Sequence, residues 1–227
     1  MTPEGFKELY RSFPPLELFE KHEGLERGYG QRPHDRFYLA YGQSVYRPPG
    51  YRGQGIVQHP GLPLAWQRLI EELEGPKYQN FVKASLGISR FVSRYAWHVG
   101  VSGSEVCPHL DVMEKAGLHN FYFNTSQDWD LAWGGETLVL GGLKRKLKNP
   151  EFSDFEKIEA VSFLDNHSLF FKNTPQGWHG VRSIQCPSGK FRRLFCVIFE
   201  TPPRFVERIR RSAAKIFVPR KKYAGEK

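Results

Sequence analysis

The pattern of apolar positions along the chain changes near residue 90. Before it, apolar residues recur three and four apart, the spacing of one helical face. Phe6, Leu9, Tyr10 and Phe13, then Leu16, Leu18 and Phe19 beyond a Pro14-Pro15 break, predict two short helices within 1–27. Residues 64–73 place Leu64, Leu69, Ile70 and Leu73 against outward Glu71 and Glu72, and Gly75-Pro76 ends that helix. Pro76 opens a second helix, 77–86, with Gly87 as its stop. The intervening 28–62 is rich in Gly, Pro, Arg and Tyr and reads as irregular structure around one strand, 37–41.

After residue 90 the period shortens to that of strands. Strands are predicted at 91–101, 119–125, 136–140, 161–164, 168–172, 179–184 and 192–199, the last a strongly β-forming Leu-Phe-Cys-Val-Ile-Phe run. A loop is expected at 114–117 and a polar insert at 141–158; Asp165-Asn166 marks a turn. About eight short strands preceded by helices predict a mainly β fold, a sandwich or jelly roll with a helical flank buttressing one sheet. There is no internal repeat and no linker. The expected organisation is one domain over 1–227: a helical and irregular flank at 1–90, a jelly-roll core at 91–202 and a basic tail at 203–227.

Composition adds two constraints. The three cysteines, Cys107, Cys186 and Cys196, are odd in number and contain no CxxC pair, which fits a reducing compartment and makes the cytoplasm the expected location. No apolar run approaches a membrane span of about 20 residues, and the first residues lack the apolar stretch of a signal peptide. The net charge of +9 is uneven. Residues 203–227 hold nine Lys/Arg against Glu207 and Glu226, leaving the rest of the chain nearly balanced. Such a tail is either a solvated end-helix, predicted over 204–217, or a contact for an acidic macromolecule.

The candidate chemistry lies in His109-Leu-Asp111 and in His179 some seventy positions later. A histidine and an aspartate two apart on a strand share a face, and a second histidine from a distant strand completes a triangle. Two neutral imidazoles and one carboxylate, with further positions open, are the donor set of non-haem Fe(II) oxygenases. The last strand opens with Arg192 and Arg193, of which alternation lets only one point inward. A buried guanidinium there would suit the distal carboxylate of 2-oxoglutarate. The alternative is ordinary strand-end charge.

Taken together, these segments resemble the Fe(II)/2-oxoglutarate-dependent dioxygenases, in particular the prolyl-hydroxylase-like branch, over roughly residues 64–200. The resemblance rests on His109-Leu-Asp111; on Phe121-Tyr122-Phe123-Asn124 followed by Asp128-Trp129 and Trp133-Gly134-Gly135-Glu136; on Gly177-Trp178-His179-Gly180-Val181; and on Arg192 to Phe199, in that order. It implies a double-stranded β-helix with His109, Asp111 and His179 as metal ligands and catalytic residues. Fe(II), 2-oxoglutarate and O2 would be the cofactors, and a C–H bond of a small molecule, a prolyl residue or a sugar-type metabolite would be hydroxylated with release of succinate and CO2. It further implies Arg192 at the distal carboxylate, with Arg193 as the fallback, Tyr122 beside it and His98 near the co-substrate. Arg94 shares the strand parity of His98 and becomes a substrate-contact candidate. Arg47, Arg52 and Arg94 would suit an anionic substrate, and the Tyr/Arg-rich 38–55 segment its entrance. The thirteen-residue step from His179 to Arg192 is longer than usual for the branch and implies an inserted turn at 186–190.

Two other classes use the same residues. A zinc-type hydrolase would employ the triangle with an activated water. A non-catalytic metal-binding or sensing module would act through the basic tail. The arginine suited to 2-oxoglutarate disfavours both.

Overall fold

The computed structural model describes residues 1–23 and 35–201. The expected tail helix at 204–217, the end of the 1–27 helical segment and the start of the irregular 28–62 stretch lie outside the described residues. Helix α1, Pro3–Arg11, begins with the Thr2 side chain accepting from the Gly5 N–H and has Pro3 at its first position, where a missing donor costs nothing. The second expected N-terminal helix shrinks to one 3-10 turn, Leu16–Leu18, because Pro14-Pro15 leaves no room to propagate. Helices α2, Leu64–Glu74, and α3, Pro76–Leu86, meet at Gly75, and Gly87 closes α3 in the left-handed conformation at φ 70°.

Eleven strands are described: β1 Glu20–His22, β2 Arg36–Tyr41, β3 Ile56–Val57, β4 Val92–Gly100, β5 Val106–His109, β6 Lys115–Tyr122, β7 Thr137–Leu143, β8 Phe155–Ala160, β9 Ser168–Lys172, β10 Trp178–Val181 and β11 Arg192–Glu200. The major sheet runs β1-β2-β4-β11-β6-β9 with β3 added to β2, and the minor sheet runs β5-β10-β7-β8. All pairings are antiparallel except β2 with β3. Two facing antiparallel sheets with helices on one outer face are the predicted jelly roll.

Several boundaries differ from expectation. The loop expected at 114–117 is instead the start of β6, which begins at Lys115 and ends at Tyr122. No strand forms at 161–164; Leu164 makes only an isolated bridge to Asn124. The expected polar insert ends inside β8, an edge strand that pairs with β7 through five residues. Its side chains are exposed except Phe155, so it carries almost no burial pattern to read. The Asp165-Asn166 turn is present, both residues having positive φ.

Alternation on β4 and β11 divides the protein. Tyr95, Trp97, Val99, Phe195, Val197 and Phe199 face the helices and join Phe6, Leu9, Trp66, Leu69, Ile70, Val82 and Leu86 in one buried cluster. Trp66 is fully buried against Trp97 and Phe195, and its indole N–H donates to the Ser12 carbonyl at 2.9 Å. The even-numbered residues of the same strands point between the sheets, where the cavity lies.

Candidate metal centre and cavity

β5 and β10 are antiparallel neighbours, and His109 sits directly opposite His179. Asp111 lies just past the end of β5 rather than within a strand, yet its carboxylate still turns to the same side. One ligating atom from each of His109, Asp111 and His179 lies within 4.8 Å of the other two. The imidazole rings are 4.2 Å apart between centroids, and His179 Nε2 is 3.7 Å from Asp111 Oδ2.

The backbone sets the tautomers. His109 Nδ1 donates to the Cys107 carbonyl and His179 Nδ1 donates to the Gly177 carbonyl, each at 3.0 Å. Each bond spans two residues along the chain and leaves Nε2 with a free lone pair directed at the partner side chains. Burial, and then the charge of His179, pushes His109 down to about 3. Burial also lowers His179. Both rings are therefore neutral near pH 7. Burial alone would raise Asp111, but Lys115 and the two histidines outweigh it and hold its carboxyl below the ordinary value. Lys115 Nζ donates to Asp111 Oδ1 at 2.7 Å, whereas the buried Oδ2 has no hydrogen-bond partner among the described residues. Two lone pairs on neutral nitrogen and one orphaned carboxylate oxygen converge, which is a donor set suited to Fe(II), with coordination positions left over.

The triangle opens on a cavity of about 300 Å³, at the small end of the range for ligand pockets. Arg192 lines it from the first position of β11 and is 4% exposed. Its Nε donates to the Gly135 carbonyl, its Nη2 to Thr137 Oγ1 at 3.1 Å, and its guanidinium lies over the Tyr122 and Phe163 rings. Gly135 holds φ 89°, and a Cβ there would stand 3.1 Å from Arg192 Cδ, so the Gly134-Gly135 turn makes room for this arginine. No carboxylate among the described residues forms an ion pair with Arg192. Burial lowers its pKa, yet a guanidinium keeps its proton at neutral pH.

The remaining expected site residues separate. Arg193 faces the other way: its Nη2 pairs with Asp128 at 2.6 Å and its guanidinium stacks on Tyr10, so it does not reach the cavity. Tyr122 is 1% exposed and shares a 2.8 Å hydrogen bond with Thr137 Oγ1, behind Arg192 rather than on the cavity wall. His98 and Arg94 both line the cavity, and Arg94 pairs with Glu200 at 2.8 Å. Arg47 and Arg52 do not line it: Arg47 pairs with Glu20 and stacks on Tyr51, and Arg52 donates to the Tyr51 carbonyl. Of the 38–55 segment, Tyr38, Val45 and Tyr46 form part of the wall.

Lys115, Thr137, Asn120 and Arg36 are among the cavity residues that the sequence reading did not single out. Lys115, Thr137 and Asn120 were hidden because only pairing of β6 and β7 within the sheets turns them inward. Alternation along 119–125 marked Asn120 and Tyr122 as sharing a face, which was the one available signal. Arg36 opens β2 and gains its position from pairing beside β4.

No family model matches the sequence, and no curated protein matches it. Solved structures do match its fold. A 2OG-Fe(II) oxygenase family oxidoreductase from Burkholderia pseudomallei aligns at TM-score 0.53 and 14% identity, over 86% of this chain and 76% of that one. A Pseudomonas putida prolyl-4-hydroxylase aligns at 0.50 and 12% identity, over 88% and 86%. A Trichoplax adhaerens prolyl hydroxylase in complex with a hypoxia inducible factor peptide fragment aligns at 0.52 and 13% identity, over 87% and 75%. The chain thus has the double-stranded β-helix of these oxygenases. At such identities the likeness is one of fold.

Proposed function

We propose that this protein is an Fe(II)- and 2-oxoglutarate-dependent oxygenase that hydroxylates a C–H bond, with its cofactors held in one domain. The observation that carries the reading is the pairing of an orphaned Asp111 Oδ2 with two imidazoles whose Nδ1 atoms are committed to backbone. His109, Asp111 and His179 would hold the metal. Arg192, backed by Thr137 and Tyr122, would hold the distal carboxylate of 2-oxoglutarate, with His98 nearby on the wall. When bound, Fe(II) with 2-oxoglutarate and O2 supplies the oxidising chemistry, and succinate and CO2 are the co-products.

The chain's own contribution is binding and exclusion of water. Arg192 is sealed and preorganised by Gly135 and Thr137, so a carboxylate binds without reordering the side chain. Lys115 fixes Asp111 so that one oxygen is presented and the other is occupied. Leu118, Leu169, Phe171, Ile184 and Leu194 give the cavity apolar walls. A buried arginine without a carboxylate favours this over a zinc hydrolase, which needs no second anion site. The prolyl hydroxylases that share the fold make a prolyl residue one candidate substrate; small molecules and sugar-type metabolites are others. Three buried free cysteines among the described residues suit a reducing compartment such as the cytoplasm. No helix among the described residues is long and apolar enough to cross a membrane.

The test is succinate release from 2-oxoglutarate in the absence of added substrate. It should require Fe(II), fail with zinc, and vanish in His109→Ala. Release that persists in that variant contradicts the assignment.

A further inference from the structure

A second guanidinium, that of Arg36, lines the cavity. It does so from the opposite part of the major sheet to Arg192, two strands away across β4. Its Nε and Nη2 are sealed from solvent and have no hydrogen-bond partner among the described residues. Those two atoms form one edge of the guanidinium, the edge that binds both oxygens of a carboxylate side by side. The other faces are occupied by rings: the guanidinium carbon is 5.1 Å from the Tyr46 centroid and 5.7 Å from that of Tyr38. Tyr38 and Tyr46 themselves meet edge to face at 5.0 Å, which fixes the cradle. Burial lowers Arg36 to about 10, so it remains a cation at neutral pH.

Among the described residues, the nearby charges leave this cation unmatched. Arg94 is committed to Glu200 and Lys115 to Asp111. Asp35 and Glu105 also line the cavity, and no ion pair joins either to Arg36 among the described residues. Leaving two guanidinium donors buried and unmet is costly, because neither water nor protein replaces the hydrogen bonds they lose. An oxyanion at that edge would remove the penalty.

We propose that Arg36, clamped by Tyr38 and Tyr46, is the anchor for a carboxylate carried by the substrate, which is therefore a small organic or amino acid rather than an internal residue of a peptide. The inference rests on the oxygenase reading for the identity of the second anion, since 2-oxoglutarate takes Arg192. The cavity of about 300 Å³ must hold both molecules, which limits the substrate to a few carbons beyond its carboxylate. An internal prolyl residue has no free carboxylate to offer this edge.

Isothermal titration calorimetry tests this on full-length protein loaded with Mn(II) and saturating 2-oxoglutarate. The probes are free amino acids, short straight-chain carboxylates, their methyl esters, phosphate monoesters and a prolyl peptide. At least one free carboxylate should bind, its methyl ester should not, and Arg36→Gln should weaken it at least tenfold. Arg36→Lys, which keeps the charge but loses the two-pronged edge, should fall between. Affinity for 2-oxoglutarate should stay within twofold in both variants, which also shows that they are folded. Three results overturn the anchor: carboxylates that bind equally well to Arg36→Gln, a prolyl peptide or phosphate monoester that binds while no carboxylate does, or loss of 2-oxoglutarate from folded Arg36→Lys. Failure of the wild type to bind 2-oxoglutarate, with carboxylates still captured through Arg36, would instead sink the oxygenase reading and leave the anchor standing.

Discussion

The two faces of the major sheet are made by the same strands and differ in what they bury. Tyr95, Trp97 and Val99 of β4 and Phe195, Val197 and Phe199 of β11 enter an aromatic core under the helices, where Trp66, Trp97, Phe195 and Phe199 are fully buried. Even-numbered residues one position away include Arg94, His98, Arg192 and Cys196, and they wall a cavity. The first face gains stability from dry contact. The second holds polar atoms of charged groups away from water with no hydrogen-bond partner among the described residues, at Asp111 Oδ2 and along the Arg36 edge. A fold tolerates such groups where they serve a ligand, and the helix-backed core offsets their cost.

Substitutions should separate the two faces. The largest effect on function is expected at the triangle: His109→Ala or Asp111→Ala should reduce metal affinity by more than about 100-fold, beyond the loss typical of supporting residues, measured by metal titration, with little change in melting temperature. The largest effect on stability belongs to the other face. Trp66→Ala should cost about 3–5 kcal/mol by denaturant unfolding, while the folded fraction keeps its metal affinity. A strong loss of metal binding in that variant would erase the distinction.

Arg192→Leu sharpens it further. It removes an unpaired buried charge, so stability should hold or rise, whereas 2-oxoglutarate binding should be lost. Lys115→Met should have a smaller effect, about 10-fold in metal affinity, because Asp111 keeps its place but loses the bond that directs one oxygen.

The pH dependence of stability should be the mildest discriminator. His109, His179 and His119 all have folded values below the ordinary histidine value, with His109 at about 3 and His119 at about 4. In each, burial is the leading cause. The unfolded chain therefore binds more protons than the folded one between about pH 6.5 and the folded values. The stability of metal-free protein should be complete above about pH 6.5 and fall as the pH drops toward 4, followed by chemical unfolding. A flat profile across that window would show that these rings are solvated.

Part of this was legible in the residues. The His109-Leu-Asp111 pair and His179 carry their chemistry in residue type and order, and the strong runs at 92–100 and 192–200 announce themselves by apolar alternation. Adjacent arginines cannot be told apart that way. Alternation puts Arg192 and Arg193 on opposite faces of β11, and which one enters the cavity shows only once Asp128 and Tyr10 are seen to take the second. Arg36 was invisible for a similar reason: a charged residue at a strand start reads as solvated until β2 is seen beside β4. The β8 edge strand was missed because solvent faces nearly all of it, so burial left no period in its sequence.

The most direct measurement is an anaerobic titration of the protein with 2-oxoglutarate, with and without Fe(II), in wild type, His179→Ala and Arg192→Leu. The account predicts one binding event that requires the metal and is lost in both variants. Binding that ignores the metal, or that survives both substitutions, would contradict a site built from two histidines, one aspartate and a guanidinium across the cavity.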